Sequence, residues 1–150
     1  MPSKVRPGRR HIRAAYRSGL EAAVAAALTL AGVTFAYEAH KVPFTQPEKQ
    51  RTYTPDFILP NGIIVETKGL WDTDDRAKHE LIQKQHPDLD IRMVFSSPTA
   101  KIGKGSKTTY AMVCQKRGIK YAHKSIPPEW LREGPNERSI TALKALGWSA

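Results

Sequence analysis

The stretch YTPDFILPNGIIVETKGLW, residues 53–71, restricts the fold more than any other part of the chain. Phe57, Ile58 and Leu59 precede the turn-forming run Pro60-Asn61-Gly62, and Ile63, Ile64 and Val65 follow it. Two short apolar runs around such a turn predict a β-hairpin. The apolar residues do not alternate with polar ones, so both faces are expected to be buried, as in the middle of a sheet. With Pro60-Asn61-Gly62 as a three-residue loop, Leu59 faces Ile63 and Asp56 faces Glu66. Their Cβ atoms then lie about 4.5–5.5 Å apart. Lys68, two residues beyond Glu66, projects from the same face. A loop of Asn61-Gly62 alone would instead set Asp56 opposite Thr67, facing away from Glu66.

Two facing carboxylates repel one another. A hard divalent cation removes that cost: Mg²⁺ takes oxygen ligands, often one or two carboxylates, and leaves positions for water and phosphate. Such an ion polarises a phosphoryl oxygen and acidifies a bound water. A neighbouring ammonium, Lys68, suits charge building up on phosphate. The plainer alternative is a cross-strand ion pair on a surface hairpin. The apolar neighbours oppose it, because charges at the end of a buried hairpin need partners or a purpose.

The chain has 150 residues, of a size for one domain with a real core, and 40% of them are hydrophobic. Its 24 lysines and arginines against 14 acids give a net charge of +10, which favours a polyanionic partner. A basic soluble protein without such a partner is the alternative. Cys114 is the single cysteine, so no internal disulfide forms, as fits a reducing cytoplasm, and a buried thiol is expected. The basic start followed by an Ala/Leu/Val-rich run mimics a signal peptide. Glu21 interrupts that run, which is also too short to span a membrane.

Residues 1–16 hold Lys4, Arg6, Arg9, Arg10 and Arg13, with Arg17 directly after and no acid among them. They read as a flexible basic arm that orders on a phosphate backbone, or else as a solvated tail. A single domain over residues 17–150 follows. Ser18 to Gly32 has Leu20, Val24, Leu28 and Ala31 at helical spacing, and Ser18-Gly19-Leu20-Glu21 fits a capping box. Val33–Glu38 reads as a strand and Lys41–Phe44 as an extended piece. Pro43 and Pro47 stiffen the connector after it. A helix is expected from about Asp72 to His86, stopped by Pro87, with Arg76, Lys78, His79 and Lys84 on a solvated face. Ile91–Phe95 reads as a buried strand parallel to the hairpin. Lys101, Lys104 and Lys107 share a glycine-containing loop suited to phosphate contact. The loop lacks the phosphate-loop pattern, so no nucleotide cofactor is expected. Thr108–Lys116 reads as a helix, Ile119–Ala122 as a strand, and Asn136 as the cap of a last helix.

Pro55-Asp56 with Glu66-Thr67-Lys68 resembles the PD-(D/E)xK signature of restriction-endonuclease-like nucleases. The longer strings YRSGLE (16–21), YTPDF (53–57), LPNG (59–62), VETKGLW (65–71) and VFSS (94–97) resemble the phage endonuclease I family, whose members resolve Holliday junctions. The likeness runs from about Tyr16 to about Trp130. It implies an α/β fold, a central mixed sheet flanked by helices, in an intertwined, segment-swapped homodimer. Residues 43–50 would bridge the subunits, although the sequence alone equally allows a simple loop in a monomer. The resemblance further implies Mg²⁺-dependent hydrolysis of branched DNA, with Mn²⁺ able to substitute and two ions per active site. Asp56, Glu66 and the Thr67 carbonyl would hold the first ion, Glu21 would share the second, and Lys68 would assist the attacking water. Glu21 also has a complete structural explanation as a helix cap. In the dimer, Glu21 of one chain would complete the Asp56/Glu66/Lys68 site of the other. The rival readings are a PD-(D/E)xK nuclease of mismatch or restriction type without junction selectivity, and a basic DNA-binding protein with a vestigial site.

Overall fold

A computed structural model of the chain describes residues 16–46 and 49–150. Arg6, Arg9, Arg10 and Arg13, and with them the expected arm, lie outside the described residues. The order of elements is α1 (Gly19–Leu30), β1 (Ala36–Tyr37), β2 (Val42–Gln46), β3 (Lys49–Tyr53), β4 (Phe57–Ile58), β5 (Ile63–Lys68), α2 (Thr73–Gln85), β6 (Asp90–Phe95), α3 (Tyr110–Arg117), β7 (Tyr121–His123), α4 (Pro128–Arg132) and α5 (Glu137–Ala145).

The hairpin of β4 and β5 has the three-residue loop. Phe57 pairs with Val65 and Ile58 with Ile64, and the Leu59 N–H donates to the Ile63 carbonyl at 2.9 Å. Gly62 takes φ +89°, and a Cβ there would meet Ile140 Cγ1 at 2.8 Å, so glycine is required where the turn docks on α5. Asn61 ties the same turn to the carbonyls of Trp130 and Glu133 through its Nδ2.

The hairpin is the middle of a five-stranded sheet in the order β1-β4-β5-β6-β7. β1 and β4 are antiparallel, as are β4 and β5, whereas β5, β6 and β7 run parallel. The architecture is thus α/β with a mixed central sheet flanked by helices. The lack of alternation in the sequence now has its cause. Phe57, Leu59, Ile63 and Val65 pack with Val24, Ala25 and Leu28 of α1 and with Trp130 of α4. Ile58 and Ile64 face the other way, onto Ile82 of α2, Leu143 of α5 and Trp148. Arg92 of β6 is buried over the Trp130 ring and bonded to Asp90 and Glu133, which fixes α4 to the sheet.

Two expectations change. The strand expected over Val33–Glu38 shrinks to Ala36–Tyr37. His79 is buried against Tyr53 and Trp71 rather than solvated, and burial lowers its pKa to about 3, which keeps the ring neutral. Within the single chain, Val42–Gln46 pairs antiparallel with Lys49–Tyr53. β3 escapes a sequence pattern because Lys49, Gln50, Arg51 and Thr52 are exposed, so the strand has no apolar alternation. Its partner β2 sits on α2, where the Gln85 amide clasps the backbone of Thr45. Cys114 is buried as expected, and burial pushes its thiol up to about 12.

Candidate active site

Asp56 stands just before β4, and the hairpin register brings it opposite Glu66 on β5. The side chains are then tied off in different directions. The Asp56 carboxylate turns to the next residue of β5: its Oδ2 accepts from the Thr67 N–H at 2.9 Å and from Thr67 Oγ1 at 3.0 Å. The Glu66 Oε2 accepts from the Asp56 N–H at 2.9 Å and from the Tyr53 hydroxyl at 2.5 Å. Glu21 arrives from the first turn of α1. Its N–H is capped by Ser18 Oγ, and its own Oε1 accepts from the Arg17 N–H at 2.8 Å and the Tyr37 hydroxyl at 2.5 Å. Glu21 therefore lies in the capped first turn and also faces Asp56. All three acids are buried.

One arrangement recurs. In each of Glu21, Asp56 and Glu66, two donors land on the same oxygen, and among the described residues no hydrogen bond reaches the other. Each carboxylate is held like a bracket, with Glu21 Oε2, Asp56 Oδ1 and Glu66 Oε1 left to accept from something else. Trp71 Nε1 is the one fully buried side-chain polar atom without a partner among the described residues, so these three oxygens are open to solvent or to a ligand. A set made of oxygens alone suits a hard divalent cation, so the residues fit such an ion.

A fourth acid joins them. Glu38 follows β1 in a left-handed conformation, φ +46°, and its N–H donates to the Asp56 carbonyl. One carboxylate oxygen each from Glu21, Glu38 and Asp56 lies within 4.8 Å of the others. Arg17 Nη1 approaches Glu38 Oε2 at 3.9 Å. Glu38 carries no sequence signal because it belongs to no motif, and the fold alone returns it to Asp56.

Burial and crowding of like charge show in the acidities. Burial is the main cause that pushes the Asp56 carboxyl up to about 6. The Thr67 N–H opposes the shift, and the Glu21 charge adds to it. Burial, with the Asp56 charge next, pushes Glu66 to about 8 against the pull of the Tyr53 and Asp56 donors. Burial also raises both phenols, Tyr37 and Tyr53, well above the ordinary range, and the acids they face add to it, so both remain donors. Perturbed groups gathered in this way are typical of reacting or ligand-binding sites.

Lys68 is close enough for its charge to lower both Asp56 and Glu66. Its Nζ, however, is docked on Asp75 Oδ2 of α2 at 3.2 Å. The expected cluster of two acids and an ammonium is thus opened out: Asp56 leans to Glu21 and Glu38, and Lys68 to Asp75. The Asp75 partnership has no sequence signal because it depends on how α2 packs. Lys101, Lys104 and Lys107 are exposed on the loop after β6. That strand ends beside Lys68, since Lys68 pairs with Phe95 and its carbonyl accepts from the Ser96 N–H. Arg17 is exposed one residue before the α1 cap.

Known proteins resemble the chain over most of its length. The sequence profile of the phage endonuclease I family matches residues 3–149. The chain is 56% identical over 133 residues to Endonuclease I of Escherichia phage T7, covering 89% of each chain. It is 54% identical over 130 residues to Endodeoxyribonuclease 1 of Enterobacteria phage T3, covering 87% of this chain and 86% of that protein.

Proposed function

The chain belongs to the phage endonuclease I family and is a deoxyribonuclease, and from that premise we propose that it resolves four-way DNA junctions by metal-dependent phosphodiester hydrolysis. The observation that carries the reading is the set of three carboxylates, each pinned through one oxygen and open at the other. By this reading Asp56, Glu66 and the Thr67 carbonyl would hold one Mg²⁺ and Glu21 would share a second, with Mn²⁺ able to substitute. The ions supply Lewis-acid polarisation of the phosphate and an acidified water. Thr67 locks Asp56 in place, Tyr53 and the Asp56 N–H lock Glu66, and Lys68 balances charge on the phosphate. The net charge of +10, with Lys101, Lys104 and Lys107 exposed on the loop after β6, supports a polyanionic substrate. Shape rather than base sequence sets the selectivity, since phosphate contacts carry no base code. Among the described residues no helix is long and apolar enough to cross a membrane.

The working form in this proposal is a homodimer with composite sites. β2 and β3 make a two-stranded hairpin whose outer strand exposes four of its five residues, and such a ribbon is marginal alone. Opened into one extended bridge over residues 43–50, it would carry α1 and Glu21 into a second copy. The contacts seen here within one chain would form again between chains.

Cleavage of a labelled four-way junction against a duplex of equal length tests the substrate. Faster cutting of the junction, dependent on Mg²⁺, is expected. Equal rates would leave a nuclease without junction selectivity, and binding without cutting would leave a DNA-binding protein.

Two further outcomes follow from the site. Asp75→Ala releases Lys68 from its tether and is expected to slow single-turnover cleavage about 10-fold with junction affinity unchanged. A parallel loss of affinity would show that Asp75 serves binding instead. The raised acidities also set how metal-free stability depends on pH. Between the ordinary values of 3.8 and 4.5 and the folded values of about 6 and about 8, the folded chain keeps protons that the unfolded chain has lost. That stabilisation is complete at low pH and disappears as pH rises through 6 and then 8, a change on the order of a few kcal/mol. Urea unfolding between about pH 6.5, above which His79 is neutral in the unfolded chain too, and pH 8.5 should therefore show a falling midpoint, recovered at the upper end by added Mg²⁺. A midpoint that rises over this range would contradict the assignment.

A further inference from the structure

We propose that Tyr53 and Tyr37 are positioning residues that decide which carboxylate oxygen Glu66 and Glu21 present to the divalent ion. The inference rests on the reading that these acids hold such an ion. A carboxylate on a flexible glutamate can offer either oxygen, or both, and can rotate between them. Here the Tyr53 hydroxyl, a side-chain donor, and the Asp56 N–H, a backbone one, both close on Glu66 Oε2, and Oε1 is what remains. The Tyr37 hydroxyl and the Arg17 N–H do the same to Glu21 Oε1 and leave Oε2. Two tyrosines from unrelated strands thus repeat one geometry on two acids. Donors bonded to a metal-ligating group fix its orientation and tune its basicity.

The rings themselves are held by packing. Tyr53 is 1% exposed and meets the His79 ring edge-on at 5.3 Å between centroids. Tyr37 packs on Tyr16 at 4.4 Å and on Phe57 at 5.3 Å. Phenylalanine would keep these ring contacts and lose the donor alone, so the hydroxyl can be separated from the packing. Asp56 needs no tyrosine, because the Thr67 N–H and hydroxyl serve it.

The test is Mn²⁺ binding to the full chain without DNA, followed by the electron-paramagnetic signal of the free ion. The wild type is compared with Tyr53→Phe, Tyr37→Phe and the control Tyr121→Phe, whose hydroxyl instead accepts from Gln115. Tyr53→Phe and Tyr37→Phe are each expected to weaken Mn²⁺ binding roughly 10-fold, and the control is expected to bind as the wild type does. Junction affinity without metal should be unchanged, and saturating Mn²⁺ should restore most of the single-turnover cleavage rate. Wild-type Mn²⁺ affinity in Tyr53→Phe and Tyr37→Phe overturns the inference and leaves the nuclease reading standing. Absence of Mn²⁺ binding by the wild type itself overturns both. A general loss of folding would appear as a lowered melting temperature and as weakened metal-free junction binding, which also counts against a purely positioning role.

Discussion

Asp56→Asn and Glu66→Gln will each bind four-way junctions and fail to cut them. The outcome turns on which end of each new amide is held by the protein. The Thr67 N–H and hydroxyl require an acceptor, so in Asp56→Asn the side-chain carbonyl must turn to them. The NH₂ then occupies the position of Oδ1. In Glu66→Gln the Tyr53 hydroxyl and the Asp56 N–H likewise claim the carbonyl and send the NH₂ outward. In both variants a donor replaces a lone pair at the place where a cation would bind. A bound metal ion is worth several kcal/mol at the transition state and each 1.36 kcal/mol is tenfold, so single-turnover cleavage should fall about 10³-fold or more. Removal of a negative charge beside the phosphate should leave junction affinity equal or improved. Cleavage within tenfold of the wild type would remove that residue from the metal site.

Mixing two inactive proteins should restore nicking. In the proposed dimer, Glu21 is delivered to the partner's Asp56. A dimer of one Glu21→Ala chain and one Asp56→Ala chain therefore has one intact site and one doubly damaged site. Random assembly makes about half of the dimers mixed, so about a quarter of all sites should be active. The readout is nicking of a single strand, since complete resolution needs two cuts. If each site is built within one chain, as in the isolated chain, every site in the mixture carries a defect and nothing is restored. Co-refolding of the two proteins gives the exchange its best chance, so failure there would count against composite sites.

The register of β4 and β5, the parallel pairing of β6, the caps of α2 and α5 and the buried thiol of Cys114 are all legible in the sequence, because each follows from local residue types. The identity of the acids is legible too, but not their orientation. Asp56 and Glu66 share a register position, as expected, yet their donors come from Thr67, Tyr53 and a backbone N–H and pull them apart. Glu38 joins Glu21 and Asp56 only when β1 is laid on β4. Asp75 and the burial of His79 depend on the seat of α2, which its scattered polar sequence does not disclose. β3 leaves no trace because a ribbon edge facing solvent needs no apolar pattern.

The most direct test of the account is a crystal grown with Mn²⁺ and measured at the manganese absorption edge. Anomalous density within ligand distance of Asp56 Oδ1, Glu66 Oε1 and Glu21 Oε2 is the predicted result. Ions bound elsewhere, with those three oxygens facing protein or bulk water in a protein that still cuts DNA, would contradict it.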